Sequence, residues 1–574
     1  VERADASVGT LIRKIEDGEI RLPEMQRPYV WRSSRVRDLF DSLYREYPSG
    51  AILLWAMGDQ AVPLREFAVS QNTTGLSATH LLLDGQQRLT SLSAVIRGTP
   101  LYVKGRASPM ELLFNLEHPD HLEVVTEVED TGNSEKDLEN TEEVEADAPE
   151  ATEDELLTIY NRMTFVVAFG RLERLPQWVK VSDVFNKDES EILRQTGLTG
   201  WDDPRYAKYQ KRLSQLRKIK DYTYRLDILG KNLSYEEVTE IFVRVNSLGA
   251  KLRGSDLALA QITAKWQGSL KIFEEFQEEC TRNNFDLDLG VHIRNLVIFA
   301  TEQSKFSSLS SLTKDQLQEA WGKACRGMRF AIDFLRNNTG IDNPNLLSSP
   351  HLTSIVAYFC HMRDFRLGSD EAKQLRYWVL LANAKARFSR GSVETLMDQD
   401  LSTIRQNKPI SEMIDRLRVQ FGRLDIVEDE LEGRNQSSAL FKTMFLAFRA
   451  NGAQDWHSTL QLSSRNAEDK NLLEAHHIFP QAVLKGRYEK QEINDIANFA
   501  FIGARTNKKI SNAEPKDYFV DLLAERGGDG SIFSTQAIPY ENRELLEVVN
   551  YKDFLAERRK LITKALNEFI GDCP

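Results

Sequence analysis

The sequence predicts a multidomain α+β protein, and three observations predict it. At 574 residues the chain is longer than one hydrophobic core organises, so about three domains are expected. Short apolar runs alternate with helically spaced ones over residues 11–122, whereas from about 255 to 450 the spacing is helical almost throughout. Short strand-like runs return after 451, followed by a helical tail over 551–570. The expected domains are therefore residues 1–257, 258–450 and 451–574. A composition 41% hydrophobic and 28% charged supports folded globular domains.

Within the first domain, Ser33 or Ser34 is placed to cap a helix carrying Val36, Leu39, Phe40 and Leu43 on one face. Pro48 and Gly50 end that helix, and Ala51–Trp55 reads as a buried strand. His80–Leu83 reads as a second strand and Leu89–Val95 as the helix after it. Ordered patterning resumes at Met163–Phe169 and Trp178–Phe185. A helical stretch over 205–220 carries Lys211, Arg212, Arg217, Lys218 and Lys220, a solvated face or a DNA contact.

Between Glu123 and Glu155 lie 15 acidic residues and one basic residue, Lys136. That local charge of −14, against −12 for the whole chain, leaves about +2 on the remainder. The acidic segment has few aromatics and reads as a disordered loop, and its removal from the count lifts the objection to nucleic acid as a partner. No apolar run approaches a membrane span, and stretches such as that around Ala51–Met57 read as core, so no membrane association is expected. No charged n-region followed by an apolar h-region opens the sequence, so no secretory leader is expected. Cys280, Cys325, Cys360 and Cys573 lack metal-ligand spacing and read as free thiols in a reducing cytoplasm.

Two regions carry chemistry. The run LEAHHIFP at 473–480 is followed by NFAFIGARTNKKISN at 498–512. One-metal phosphodiester hydrolysis needs a base to deprotonate water, a cation for the leaving oxygen, and something to hold the base in line. Adjacent strand residues point to opposite faces, so His476 and His477 take different jobs unless the chain bends between them. With Pro480 three residues beyond His477, such a bend is expected. Phe499–Ile502 then reads as a strand leading to Asn507 at the start of a lysine-rich helix. A structural zinc would recruit cysteine, and none lies between Cys360 and Cys573.

In the N-terminal region, LLLDGQQRLTSL at 81–92 places Asp84, Gly85, Gln86, Gln87 and Arg88 between a strand and a helix. Gly85 lets a ligand approach the backbone, the helix N-terminus offers N–H groups to an anion, and Arg88 adds charge. RLPEMQRPYVW at 21–31 sets Gln26 and Arg27 beside Tyr29 and Trp31, aromatics that either pack or stack on bases. IFVRVNSLGAKL at 241–252 holds Arg244 and Asn246.

The C-terminal pair of runs resembles the HNH, or ββα-metal, nuclease motif. The resemblance implies that His476 and Asn507 ligate a metal, that His477 is the general base, and that Asn498 is a structural asparagine. Related domains often place an acidic residue nearby, which makes Glu474 a substitute ligand for His476. Arg505, Lys508 and Lys509 become phosphate partners. The three N-terminal runs, spread over much of 9–257, resemble the ParB/sulfiredoxin-like NTPase domain of GmrSD-type, type IV restriction enzymes, in which an HNH partner follows in the same order. Phage-defence nucleases that sense phosphorothioated DNA share this architecture. In that reading Asp84, Gly85, Gln86, Gln87 and Arg88 form the nucleotide site. Gln26 and Arg27, and Arg244 with Asn246, either complete it or contact DNA; a structural ion pair is the other reading of Arg244.

The resemblance implies an endonuclease or nickase that depends on NTP and on Mg2+ or another divalent cation. Its substrate would be double-stranded phage or modified DNA, and a homo-oligomer is left open. A nucleotide-gated DNA-binding regulator with an inactive HNH domain is the alternative, and a toxin-like RNase a third reading.

Overall fold

The computed structural model describes residues 1–26, 29–58, 62–72, 78–103, 106, 108–120, 160–168, 172–198, 200–249, 253–458, 460–462 and 473–571. The acidic segment 123–155, Arg27 and Cys573 lie outside the described residues, as does the side chain of Asn246. The chain is mixed α+β and forms two compact units, residues 1–270 and 271–574. No helix among the described residues is long and apolar enough to cross a membrane.

The first unit is built on six strands: β1 (Glu2–Ser7), β2 (Ile20–Pro23), β3 (Ile52–Ala56), β4 (Leu64–Arg65), β5 (His80–Asp84) and, after a second small sheet, β9 (Thr223–Leu229). Their order is β1-β9-β3-β5-β2-β4, with parallel β3–β9 and β2–β5 pairs. Central strands of such a sheet are covered on both faces and read as unbroken apolar runs. β5 shows why. Leu82 enters one core with Ile20, Leu22, Ile52 and Leu54. Leu81 and Leu83 enter another with Trp55, Leu229, Tyr235, Val238 and Phe242.

Helices supply the rest of the first core. Helix α1 (Val8–Glu16), capped by Ser7, buries Val8, Leu11, Ile12 and Ile15; α2 (Ser33–Tyr44) buries Val36, Leu39, Phe40 and Leu43; and α3 (Gln86–Arg97) buries Leu89, Leu92 and Val95. The expected serine cap of α2 is not formed. Ser33 and Ser34 both lie inside the helix, Arg32 occupies the cap position without a side-chain bond, and Gln87 Oε1 instead fixes the chain's entry by accepting from Val30 and Trp31 N–H. A second sheet, β6 (Leu112–Asn115) flanked by β7 (Phe165–Val167) and β8 (Trp178–Lys180), packs its own small core. On the helix Tyr206–Arg217, the basic residues divide. Arg212 is buried against Leu116 O and Asp120, Arg217 pairs with Glu189, and Lys211 is exposed.

The second unit is helical up to Ala450, and Cys280, Cys325 and Cys360 are buried free thiols within it. Its last part holds the antiparallel pair β10 (Leu473–His477) and β11 (Phe499–Gly503), followed by the helix Ala504–Ile510. Phe441, Phe445 and Phe448 of the helix Ala439–Ala450 pack on Phe501, and the first also meets Phe499. Tyr551 and Phe554 of the tail helix Tyr551–Ile570 clasp Phe479. A strand pair this small is not stable alone, so this aromatic packing holds it in place.

Candidate active site

The register of the β10–β11 ladder sets His476 opposite Ala500 and His477 opposite Phe499. The expected bend between the histidines is absent. The ladder runs through both, and Ile478 N–H continues it by donating to Asn498 O at 2.7 Å. Strand alternation therefore sends the two imidazoles to opposite faces.

His476 is 4% exposed, with Trp456 and Tyr518 edge-on to its ring. Burial pushes its imidazole down to about 4, so it is neutral at neutral pH and keeps a lone pair for a metal. Its Nδ1 stands 2.7 Å from Asn507 Oδ1, while its buried Nε2 has no hydrogen-bond partner. Asn507 sits one turn into the helix Ala504–Ile510, a little deeper than the sequence suggested. As placed, Nδ1–H donates to the amide oxygen; with the ring proton moved to Nε2, the same nitrogen and oxygen would form a neutral N,O donor pair of the kind that fits a divalent cation. Among the described residues no three His, Cys, Asp or Glu side chains gather around a common point. Glu474 pairs in register with Ile502, and its side chain lies outside the described residues.

On the other face, the His477 ring meets Phe499 at 4.3 Å between centroids. Its Nε2 lies 3.0 Å from Asn494 Oδ1 and 3.2 Å from Gln481 Nε2, and Gln481 Nε2 donates to the same Asn494 oxygen at 3.2 Å.

Asn498 is fully buried and bonded at every turn: its Oδ1 accepts from Phe479 N–H at 2.9 Å, and its Nδ2 donates to Phe479 O at 3.1 Å and Ile493 O at 3.0 Å. It braces the chain beyond β10 and touches neither histidine ring in these bonds. Asp455 performs a matching task for the helix of Asn507. Its carboxylate accepts from Gly503 N–H at 2.7 Å and from the Thr506 hydroxyl at 2.8 Å. Burial alone would raise its carboxyl; the hydrogen bonds from Ser458, Gly503 and Thr506 hold it below the usual range.

Arg505, Lys508 and Lys509 are exposed on that helix. Lys509 is engaged by Glu525 at 3.1 Å, and Glu525 also accepts from His457.

Asn494, Gln481 and Asp455 were not singled out from the sequence. Gln481 stands four residues after His477, a spacing that offered a signal. Asn494 is brought in only by the fold of the 485–498 loop.

In the first unit, β5 ends at Asp84 and α3 begins behind Gly85, whose φ of +98° belongs to glycine. A Cβ there would lie 2.4 Å from Ile52 Cδ1, so the position admits no side chain. Arg88 turns back from α3. Its guanidinium donates to Ser49 O, to Ala51 O at 2.8 Å and to Asp84 Oδ2 at 3.1 Å, leaving its side chain 16% exposed. As placed, Arg88 is a brace between α3 and the 49–51 turn. Gln86 and Gln87 are buried. Gln26 is also buried and donates to Leu82 O at 3.1 Å and to Leu83 O. Tyr29 bonds Ser91 through its hydroxyl at 2.8 Å, and both Tyr29 and Trp31 pack against the core. Residues 26 and 29–31 are thus stitched to β5 and α3. Arg244, exposed on the helix Tyr235–Gly249, pairs with Glu240 at 2.6 Å, and Asn246 lies in the same helix.

The geometry stands beside two likenesses. Over its full length the chain is similar to an uncharacterized protein, MJ0686, of Methanocaldococcus jannaschii, at 23% identity with 98% of each chain covered. Its N-terminal part matches the family described as GmrSD restriction endonuclease, N-terminal domain, over residues 8–263, a span that takes in the Gln26, Asp84–Arg88 and Arg244 runs. Residues 8–263, a little under half of the chain, are thus similar to the N-terminal domain of GmrSD restriction endonucleases.

Proposed function

We propose that the protein is a metal-dependent DNA endonuclease of the restriction type, with the β10–β11–helix element as its cutting site. The observation that carries this is the facing of His476 Nδ1 and Asn507 Oδ1 at 2.7 Å, with His477 directed to the other side of the same strand. His476 and Asn507 would hold the divalent cation, Mg2+ or a similar ion, which supplies charge stabilisation for the scissile phosphate and leaving oxygen. His477 accepts the proton of the attacking water. Arg505 and Lys508 neutralise the substrate backbone, and Lys509 joins them by exchanging Glu525 for phosphate.

In the first unit the Asp84–Arg88 junction would bind NTP and regulate or drive the cut. The support is the strand–Gly85–helix junction, whose left-handed glycine sets the start of α3 directly behind Asp84, and the match to the GmrSD N-terminal domain. Asp84, whose side chain is 42% exposed, and the α3 N-terminus face the ligand in this reading, while Arg88 keeps the junction in shape. Arg244 and Asn246 complete the pocket or touch DNA. The substrate is double-stranded DNA, phage or modified, cut by one chain or a homo-oligomer.

The test is cleavage of modified and unmodified phage DNA and of supercoiled plasmid, with each NTP and over a metal series. Nicking that EDTA and His477→Ala both abolish supports the proposal. Cleavage that persists in either condition overturns the site. DNA binding that responds to NTP without any cleavage favours the nucleotide-gated regulator.

A further inference from the structure

We infer that Asn494 is a positioning residue for His477, with Gln481 as its support; the inference rests on the nuclease reading above. A general base on a strand still rotates about two side-chain bonds, so its lone pair faces water only if a second group fixes the ring. Phe499 limits the tilt of the His477 ring from one side, at 4.3 Å. Asn494 sets the rotation. A carboxamide oxygen accepts and never donates, so the 3.0 Å contact with His477 Nε2 requires the ring proton on Nε2; Gln481 Nε2, 3.2 Å from both atoms, then gives its N–H to the Asn494 oxygen and not to the ring. The basic lone pair is then on Nδ1, and a ring flip would break the bond. Gln481 Nε2 donates to the same oxygen at 3.2 Å and so holds the Asn494 amide in the accepting orientation.

Asn494 is itself seated on a fixed loop. Its neighbour Asp495 is 1% exposed and accepts from Gly433 N–H at 3.0 Å, Ala497 N–H at 2.9 Å and Arg559. On the other side, Ile493 O accepts from Asn498 Nδ2. The orienting oxygen is therefore set by the backbone before substrate arrives, and a preset geometry lowers the barrier where a mobile one does not.

The experiment compares full-length parental chain with Asn494→Leu, Asn494→Asp and Gln481→Met. The readouts are single-turnover cleavage of plasmid, KM for DNA and the midpoint of metal activation. Asn494→Leu keeps the size and removes the acceptor; its kcat should fall about 10- to 100-fold with KM and metal midpoint unchanged. Asn494→Asp restores an acceptor at the same place and should recover most of the rate. Gln481→Met should lower kcat by a smaller factor.

Asn494→Leu cutting at the parental rate would overturn the inference, as would a loss in KM and metal midpoint that equals the loss in kcat. So would equal losses in Asn494→Leu and Asn494→Asp, because a structural role does not distinguish an acceptor from an alkyl group. If Asn494→Leu fails to fold, Asn494→Asp and Gln481→Met decide alone: full activity in Gln481→Met then counts against the inference. A parental chain that cuts no DNA under any metal overturns the nuclease reading itself. A cutting parent with an indifferent Asn494 overturns the positioning role only.

Discussion

Replacing Asn498 by alanine isolates the brace beneath the site, because its three side-chain bonds all end on backbone groups and its side chain is fully buried. Each buried hydrogen bond contributes about 1 kcal/mol net, and a stranded buried N–H costs a further ~1–3 kcal/mol. Losing the three bonds and leaving Phe479 N–H without an acceptor therefore destabilises this element by about 4–6 kcal/mol. That is a large share of the ~5–15 kcal/mol typical of a folded domain. Because the bonds lie at Ile493 and Phe479, the loss should be local first. Amide exchange at Phe479 should accelerate by a factor of about 10³ before the helical part of the unit opens. Hydrogen exchange read by mass spectrometry, with urea unfolding of the same samples, measures both quantities. A loss below about 1 kcal/mol with Phe479 protection unchanged would refute the brace.

Arg88→Ala should lower stability by about 2–4 kcal/mol, since it removes an ion pair and two bonds to backbone carbonyls, and NTP turnover should fall with it. Arg88→Lys should rescue little, because one ammonium does not reproduce a fork spanning Ser49 O and Ala51 O; thermal melts and phosphate release check both variants. Acid should destabilise the fold between pH ~6.5 and ~4. Burial holds the His292 imidazole at about 4, so below pH ~6.5 the unfolded chain takes up a proton that the folded chain refuses, at a cost of up to about 3 kcal/mol by pH 4. His118 and His476 act in the same direction, and His292→Leu should flatten the slope of stability against pH by about one proton, measured by urea titrations at several pH values. Deleting most of 123–155 removes up to 14 net negative charges and should strengthen nonspecific DNA binding, with a steeper salt dependence in fluorescence anisotropy.

Much of this was legible in the residues. The spacing of Val36, Leu39, Phe40 and Leu43 marked a helix that exists with those residues buried, and the apolar run at 80–83 marked a strand covered on both faces. The histidine pair and the 498–507 spacing named the atoms that the fold brings into contact. Three things were not legible. The serine cap of α2 failed because Gln87, 54 residues beyond Ser33, supplies the competing acceptor. The bend after His476 failed because Ala500 and Phe499 extend the ladder across both histidines. The bonds of Arg88 to the carbonyls of Ser49 and Ala51 were the third, because those carbonyls lie in a turn that no local pattern ties to position 88.

The two histidines divide their duties by parity. Neighbouring positions on β10 differ only in being odd or even, and that single bit decides which imidazole meets Asn507 and which meets Asn494. The bit is read from one end, because Asn498 bolts Phe479 in place. One residue inserted between His477 and Phe479 would therefore turn both rings over at once, moving His477 into the place of His476 beside Asn507 and His476 into the place of Ala475, about 6–7 Å from where Asn494 is met. Two inserted residues would return each ring to its own face but carry it about 6–7 Å along the strand, away from both asparagines. Insertions of either length leave every side chain of the site in the sequence and none of them in its place. In this short stretch the spacing of the residues matters as much as their identity.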